Sequence, residues 1–298
     1  MKRIDLKIWF ACNNKCLFCV QWDKRYKYWP KSLDMVYEDL ETGKKDGATW
    51  VVFTGGEPTI HQTLMEGIKY AQKIWYKEIQ IQTNWRTFED IDFCKQLIDA
   101  GANQFSPSLH GFKPETHDFL VGAPWAWKQT VQWLTNLKKL WQYVLTNTVI
   151  TKQNYKELPK LALLLISLGV RQYQFAFIHI TWSADVNKEE IVPSKTEIID
   201  YVKKWLDIWK KYKVNCMTEA IPFCIMQWYE WAIAEYNFMP ETQIFDAEWV
   251  IDSYNDYRWN EWKIKFPQCK SCKYNNICEG PWKEYPEIYW REEFLPVK

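Results

Sequence analysis

The stretch IDLKIWFACNNKCLFC, residues 4–19, decides the fold. A strand-like run over 4–10 leads straight into Cys12, Cys16 and Cys19, spaced C-x3-C-x2-C. A closed tetrahedral sulfur site needs four ligands, so three thiolates gathered in one loop leave a position open. Iron–sulfur clusters are held by thiolates, commonly four for a cubane. Three such ligands would leave one iron for another partner. The alternative is a zinc knot that borrows a distant fourth ligand.

Outward from this loop, short β-branched and aromatic runs alternate with helix-patterned segments. The runs lie at 4–10, 50–55, 78–84, 104–109, 143–150 and 172–180, and the helical segments near 31–46, 62–74, 88–100, 127–140, 156–168 and 195–212. Strand and helix in steady alternation imply right-handed crossovers and a parallel sheet. The fold class expected is α/β: a partial (β/α)6 TIM-like barrel over 1–212, followed by a small cysteine-rich C-terminal domain over 213–298. That second region holds no clear βα unit but has five of the nine cysteines.

In β/α barrels chemistry gathers in the loops at the carboxyl ends of the strands. The three-cysteine loop follows strand one. Gly55-Gly56-Glu57-Pro58 follows strand two, Thr83-Asn84 ends strand three, and Ser108-Leu109-His110 ends strand four. The conspicuous motifs therefore share one rim.

Cys12, Cys16 and Cys19, the aromatic Phe18 before the third cysteine, and the GGEP stretch after strand two resemble the radical S-adenosylmethionine (SAM) superfamily. The resemblance implies a [4Fe–4S] cluster on the three cysteines whose open iron is chelated by SAM. One electron from the cluster then cleaves the sulfonium to a 5′-deoxyadenosyl radical that abstracts hydrogen from substrate. It further implies roles for matched residues. Gly55 and Gly56 would let the backbone approach the methionine ammonium because no Cβ intrudes, and Glu57 would accept a charge-assisted hydrogen bond from it. Phe18 would lie near the adenine. Thr83 and Ser108 match positions that touch the methionine carboxylate or ribose, with ordinary strand-end hydrogen bonding as the alternative; Asn147 on strand five is a further candidate.

Cys269, Cys272 and Cys278, spaced C-x2-C-x5-C, form a second group, and Cys224 is the nearest fourth ligand, with Cys216 competing. This resembles the SPASM extension, or its shortened twitch form, that carries auxiliary clusters. The full pattern has another cysteine where this chain has Trp282, so one auxiliary [4Fe–4S] cluster is expected; a structural zinc site on the same thiolates is the alternative. Cys94 reads as a small buried residue. Of the four histidines, His110 and His179 sit on the rim as candidates for proton transfer or substrate contact.

Lys and Arg total 38 against 37 Asp and Glu, a balance that gives no electrostatic footprint for nucleic acid or anionic lipid. The first residues carry charges at 2, 3, 5 and 7 and no long apolar run, so neither a signal peptide nor a membrane span is expected. An odd number of cysteines without an export signal points to thiolate chemistry in a reducing compartment, and hence to the cytoplasm.

Tryptophan numbers 20 and glycine only 10, where average usage gives about 21 glycines. Helix ends at Ala100-Gly101 and Leu168-Gly169 find their counterparts in Ile74-Trp75 and Leu140-Trp141. Trp22, Trp85, Trp182, Trp228 and Trp290 also fall in glycine-type places. A non-glycine residue in a left-handed conformation costs roughly 1–2 kcal/mol, so several approach the stability of a whole domain, about 5–15 kcal/mol. The reading is that many of these tryptophans are misread glycines, from UGA codons that some bacteria decode as glycine; Trp127 and Trp282 are taken as genuine.

The function expected is a radical SAM enzyme acting on a peptide or protein, fed by a flavodoxin- or ferredoxin-type electron donor. The small-molecule alternative is a dehydrogenase or rearranging enzyme. The GTP-rearranging enzyme of molybdenum-cofactor synthesis shares the N-terminal motifs but has wider C-terminal cysteine spacing. The alternative of another class is a non-catalytic iron–sulfur or zinc scaffold or electron carrier.

Overall fold

Along β1 (Lys2–Trp9) alternate positions meet two environments. Ile4, Leu6 and Ile8 are fully buried, whereas Arg3, Asp5 and Lys7 line a large cavity. The pattern follows from the two-residue period of a strand, which sends neighbours to opposite faces. In this computed structural model, which describes residues 2–84, 86 and 91–298, the same division recurs along the sheet. The outer face is apolar against the helices, and the concave face carries polar side chains such as Gln80, Gln82, Asn147 and Gln174.

The strands that follow are β2 (Trp50–Gly55), β3 (Glu78–Thr83), β4 (Gln104–Pro107), β5 (Tyr143–Ile150), β6 (Gln172–Phe177), β7 (Asn215–Glu219), β8 (Glu241–Phe245) and β9 (Val250–Ile251). They form one sheet in the order β7-β6-β5-β4-β3-β2-β1-β8-β9. Every pairing is parallel except that of β8 with β9. With helices crossing between successive strands, the architecture is an open, partial β/α barrel.

The crossovers are α1 (Leu33–Lys45), α2 (Leu64–Lys73), α3 (Ile91–Asp99), α4 (Pro114–Val121), α5 (Ala126–Lys139) and α6 (Leu158–Ser167), then the short α7 (Ser183–Val186) and α8 (Lys188–Ile191) and the long α9 (Lys195–Tyr212). Two begin at serine caps: Ser32 accepts from Met35 N, and Ser194 from Glu197 N, each satisfying an otherwise orphaned amide. Positions 88–90 of the helix expected over 88–100 lie outside the described residues. α4 was not expected. Its pattern is short, and Pro114 at its first turn is a helix starter.

The sheet also runs on past residue 212. β7, β8 and β9 come from the segment assigned by sequence to a second domain, and β8 lies against β1. NCMTE and ETQIF hide their strand character because one face of each points to the polar cavity. Beyond β9 the chain packs back on the barrel. Tyr285 lies against Phe177 and accepts from Lys195 N through its hydroxyl, and Tyr289 Oη donates to Val192 O. Buried Arg258 donates to Glu219 of β7 at 3.1 Å and to Glu279 at 2.6 Å. Removing one partner of such a pair typically costs about 3–5 kcal/mol, so this link fixes the C-terminal segment firmly to the sheet. Among the described residues no helix is long and apolar enough to cross a membrane.

Candidate functional site

The loop carrying Cys12, Cys16 and Cys19 is held from three sides by backbone contacts. Gly56 N donates to Trp9 O and Glu57 N to Ala11 O, both at 2.8 Å. A Cβ on Gly55 would come within 2.0 Å of Trp9 O, and one on Gly56 within 2.2 Å of Ala11 O. The two glycines thus clear room for the protein's own carbonyls. On the second side, Lys15 N and Leu17 N donate to Val121 O and Leu120 O at the end of α4. On the third, Ser183 Oγ donates to Cys16 O and Asn187 Nδ2 to Leu17 O, each at 3.1 Å.

Polar side chains finish the loop. Asn84 Nδ2 donates to Cys12 Sγ at 3.3 Å and to Asn13 Oδ1 at 2.6 Å, Arg25 Nη2 approaches Cys19 Sγ at 3.7 Å, and Arg86 binds Asn13 O and Asn14 Oδ1. Burial pushes the Cys12 thiol up to about 11, with Glu57 and Cys19 adding to it, and holds Cys16 well above the usual range, with Cys19 and Cys12 next in effect. Three sulfurs that oppose one another's ionisation suit a cationic metal–sulfur centre, which deprotonates its thiols outright. The donor set fits the group. Asn84 was placed on the rim without its contact to Cys12, and Arg25 and Ser183 carried no motif and were missed in the sequence.

Glu57 is almost wholly buried and turned inward. Its Oε1 accepts from Thr59 N at 2.9 Å, from Thr59 Oγ1 at 2.5 Å and from Thr83 Oγ1 at 2.5 Å, and its Oε2 accepts from Asn84 N at 2.6 Å. Burial raises its pKa against the pull of these donors. The carboxylate and the Thr83 hydroxyl thus link β2 to β3. Phe18 is buried edge-on against His110 at 4.7 Å. Ser108 bridges to Asn147 beside β4, and the Oδ1 of Asn147 meets the cavity without a protein partner.

His110 is structural. It stacks on His117 at 5.8 Å, accepts from Val149 N through Nδ1, and gives its own amide to His117 Nδ1. Burial pushes His110 down to about 3 and His117 well below the ordinary imidazole value, where the neighbouring His110 and Arg86 add to the effect. His179 differs, because it lines the cavity. Its Nε2 lies 3.7 Å from Glu284 Oε2, and neither atom has a hydrogen-bond partner in the protein. Burial, then Lys263, Lys283 and Arg258, push His179 down to about 3; burial raises Glu284. Glu284 was missed because its partner lies over a hundred positions away.

The cavity these residues line measures about 980 Å³ and opens between the strand ends and the C-terminal segment. Seven acidic side chains border it against five basic ones, and two of the basic groups are engaged in ion pairs, Lys24 with Asp246 at 2.8 Å and Lys7 with Asp5 at 3.2 Å.

A second thiol group lies beneath the C-terminal segment. Cys224, Cys269, Cys272 and Cys278 line one small apolar cavity with Phe223 and Phe294. Burial pushes Cys224 up to about 12, with Cys278, Cys272 and Cys269 adding to the effect in that order. Cys216 stands apart on β7 opposite Tyr173, raised to about 12 by burial alone. The structure thus gathers Cys224 with the C-x2-C-x5-C group, and Cys94 is buried in α3. No three of the described acidic, histidine or cysteine side chains converge tightly enough for a single metal ion.

Residues 6–165 match the radical SAM superfamily. Over 210 residues the chain is 28% identical to a GTP 3′,8-cyclase of Aquifex aeolicus, covering 68% of this chain and 65% of that protein. It is 25% identical over 178 residues to a probable GTP 3′,8-cyclase of Saccharolobus islandicus, covering 59% and 57%. The chain therefore spans less than two thirds of the length of these relatives. Among solved structures it superposes on Streptococcus suis SuiB bound to S-adenosylmethionine with a TM-score of 0.70 at 15% identity, covering 99% of this chain and 76% of that one. Native anSMEcpe with bound AdoMet gives 0.68 at 14% identity, with 99% and 93% covered. These two likenesses concern the fold.

Proposed function

Because this chain belongs to the radical SAM superfamily, we propose that it binds a [4Fe–4S] cluster through Cys12, Cys16 and Cys19 and modifies a peptide or protein side chain in the cavity above them. It is an enzyme of the radical SAM class, and that family implies a cluster and SAM. When bound, the pair supplies reductive cleavage of SAM and, through it, hydrogen abstraction from substrate.

The chain's own residues set the stage. The GGE turn, α4 and α7 hold the thiol loop rigid, and Asn147 offers an unpartnered acceptor to what enters. The carboxylate clamp of Glu57 leaves binding of the SAM ammonium to other acceptors on the rim. His179 Nε2 and Glu284 Oε2 are the atoms through which a substrate proton passes, since both residues line the cavity and neither atom has a hydrogen-bond partner in the protein. Cys224, Cys269, Cys272 and Cys278 hold an auxiliary cluster; that all four line one small cavity supports this reading. A flavodoxin- or ferredoxin-type donor supplies the electrons.

The observation that carries the peptide reading is the charge of the cavity. A nucleoside triphosphate brings several negative charges and needs unengaged cations, and with Lys7 and Lys24 already paired this lining offers three, Arg3, Lys27 and Lys283. The second reading, a GTP cyclase, is favoured by the curated relatives in sequence. The test is anaerobic reconstitution with iron and sulfide, then SAM and dithionite. The expected result is 5′-deoxyadenosine from the wild type, none from the Cys12→Ala/Cys16→Ala/Cys19→Ala variant, and no binding of added GTP. A reconstituted wild type that leaves SAM intact would refute the enzyme, and tight GTP binding would replace the peptide reading with the cyclase.

A further inference from the structure

We infer that the tryptophans at 75, 125, 141, 182 and 228 are glycines in the natural polypeptide, encoded by UGA codons that the source organism reads as glycine. Seven described non-glycine residues have positive φ, and five of them are tryptophan: Trp75 (67°), Trp125 (66°), Trp141 (58°), Trp182 (52°) and Trp228 (72°). Such angles suit glycine, and to a lesser degree asparagine and aspartate; a bulky aromatic is among the residues least suited to them. Trp182 is the most demanding case. Its ψ of −114° places it at the first central position of a type II′ turn, where glycine dominates.

Equivalent helix ends make the comparison internal to the chain. After α3, Gly101 N donates to Ile98 O and Ala102 N to Leu97 O; after α6, Gly169 N donates to Ile166 O and Val170 N to Leu165 O. The same pair of bonds closes α2, from Trp75 N to Gln72 O and Tyr76 N to Ala71 O, and closes α5, from Trp141 N to Lys138 O and Gln142 N to Leu137 O. This is the Schellman closure, whose C′ residue is usually glycine. The same closure ends α1 on Gly47, α4 on Gly122 and α9 on Lys213, so seven helices end alike, four on glycine, two on tryptophan and one on lysine.

The side chains agree. The five indoles are between 53 and 85% exposed, and Trp75 and Trp125 engage the protein through backbone groups, by Lys44 Nζ to Trp75 O and by Trp125 N to Asp118 Oδ2. Trp133, Trp205, Trp209 and Trp282 contrast with them. They are buried and packed on Phe93, Phe175, Tyr173 and His179 respectively, and they are genuine. Two positions suspected from sequence lack this backbone signature. Trp22 opens a 3₁₀ turn and Trp290 has φ of −73°; Trp85 lies outside the described residues. One decoding difference thus reduces both the surplus of tryptophan and the shortage of glycine. It also changes the site, since Trp182 lines the cavity and glycine there widens its opening.

The gene gives the first test. UGA is expected at 75, 125, 141, 182 and 228, and UGG at 133, 205, 209 and 282; UGG at the first five positions overturns the inference. The second test needs only recombinant protein. The W75G/W125G/W141G/W182G/W228G chain is expected to melt higher than the literal chain by on the order of 10 °C, whereas Trp205→Gly, the control, melts lower. A quintuple variant no more stable than the literal chain overturns it.

Discussion

Replacing Glu57 by glutamine distinguishes a clamp from a ligand contact at the end of β2. The carboxylate accepts four hydrogen bonds, three on Oε1 from Thr59 and Thr83 and one on Oε2 from Asn84 N. A glutamine carbonyl can keep the Oε1 trio, but its NH₂ then faces the Asn84 amide. One charge-assisted bond becomes a contact between two donors, and the other three lose their charge. Hydrogen bonds to charged groups contribute about 1.5–3 kcal/mol, and an orphaned buried donor costs about 1–3. The variant is therefore expected to lose about 2–4 kcal/mol of stability, and Glu57→Ala more. The assay is anaerobic urea unfolding of the apoprotein, set beside SAM affinity of the reconstituted enzyme. If Glu57→Gln leaves the unfolding free energy within about 0.5 kcal/mol of wild type while SAM affinity falls, the carboxylate is a ligand group and the clamp is wrong.

The remaining tests follow the buried imidazoles and thiols. His110 and His117 are held below their unfolded value near 6.5, so the stability they permit is complete above pH 6.5 and is lost as pH falls from there toward 3. At pH 5.5 each costs about 1.4 kcal/mol relative to neutral pH; raised carboxyls such as Glu57 act with the opposite sign. The quantity to measure is thus the difference between wild type and His117→Asn, whose Oδ1 replaces the accepting Nδ1; parallel curves would exclude the assignment. Cys224→Ala is expected to lower iron by about four per reconstituted chain and Cys216→Ala to leave it unchanged, and the reverse result would exchange their roles. His179→Gln is expected to slow product formation by about 10²–10⁴ with substrate-free SAM cleavage unchanged; equal loss of both would make His179 a packing residue.

The barrel and the thiol loop were legible because each is written locally. Strand periodicity in IDLKIWF and the spacing of Cys12, Cys16 and Cys19 lie within a few residues of one another. Three members of the second thiol group were legible together, since Cys269, Cys272 and Cys278 are close in sequence, but that Cys224 and not Cys216 lies beside them follows only from the turn that carries the chain on from β7. β7 and β8 escaped notice because strands lining a polar cavity lack a continuous apolar run. Asn84 against Cys12, and His179 against Glu284, are contacts across the rim that no local pattern encodes.

Glu57, Thr83, Gly55 and Gly56 show a different kind of limit. Their location at the strand ends was legible, but the protein contacts they make there were not. In the structure their polar atoms and their missing side chains serve the neighbouring backbone. A loop that must bring three mutually repelling thiolates together cannot be held by the thiolates themselves. The restraint must come from groups indifferent to whether the metal is present, and carbonyls of β1 locked beneath two glycines are such groups. The same reasoning explains why the conspicuous motif of β2 is small and buried: it supports the thiol loop from behind and leaves the cavity to other side chains, His179 and Glu284 among them.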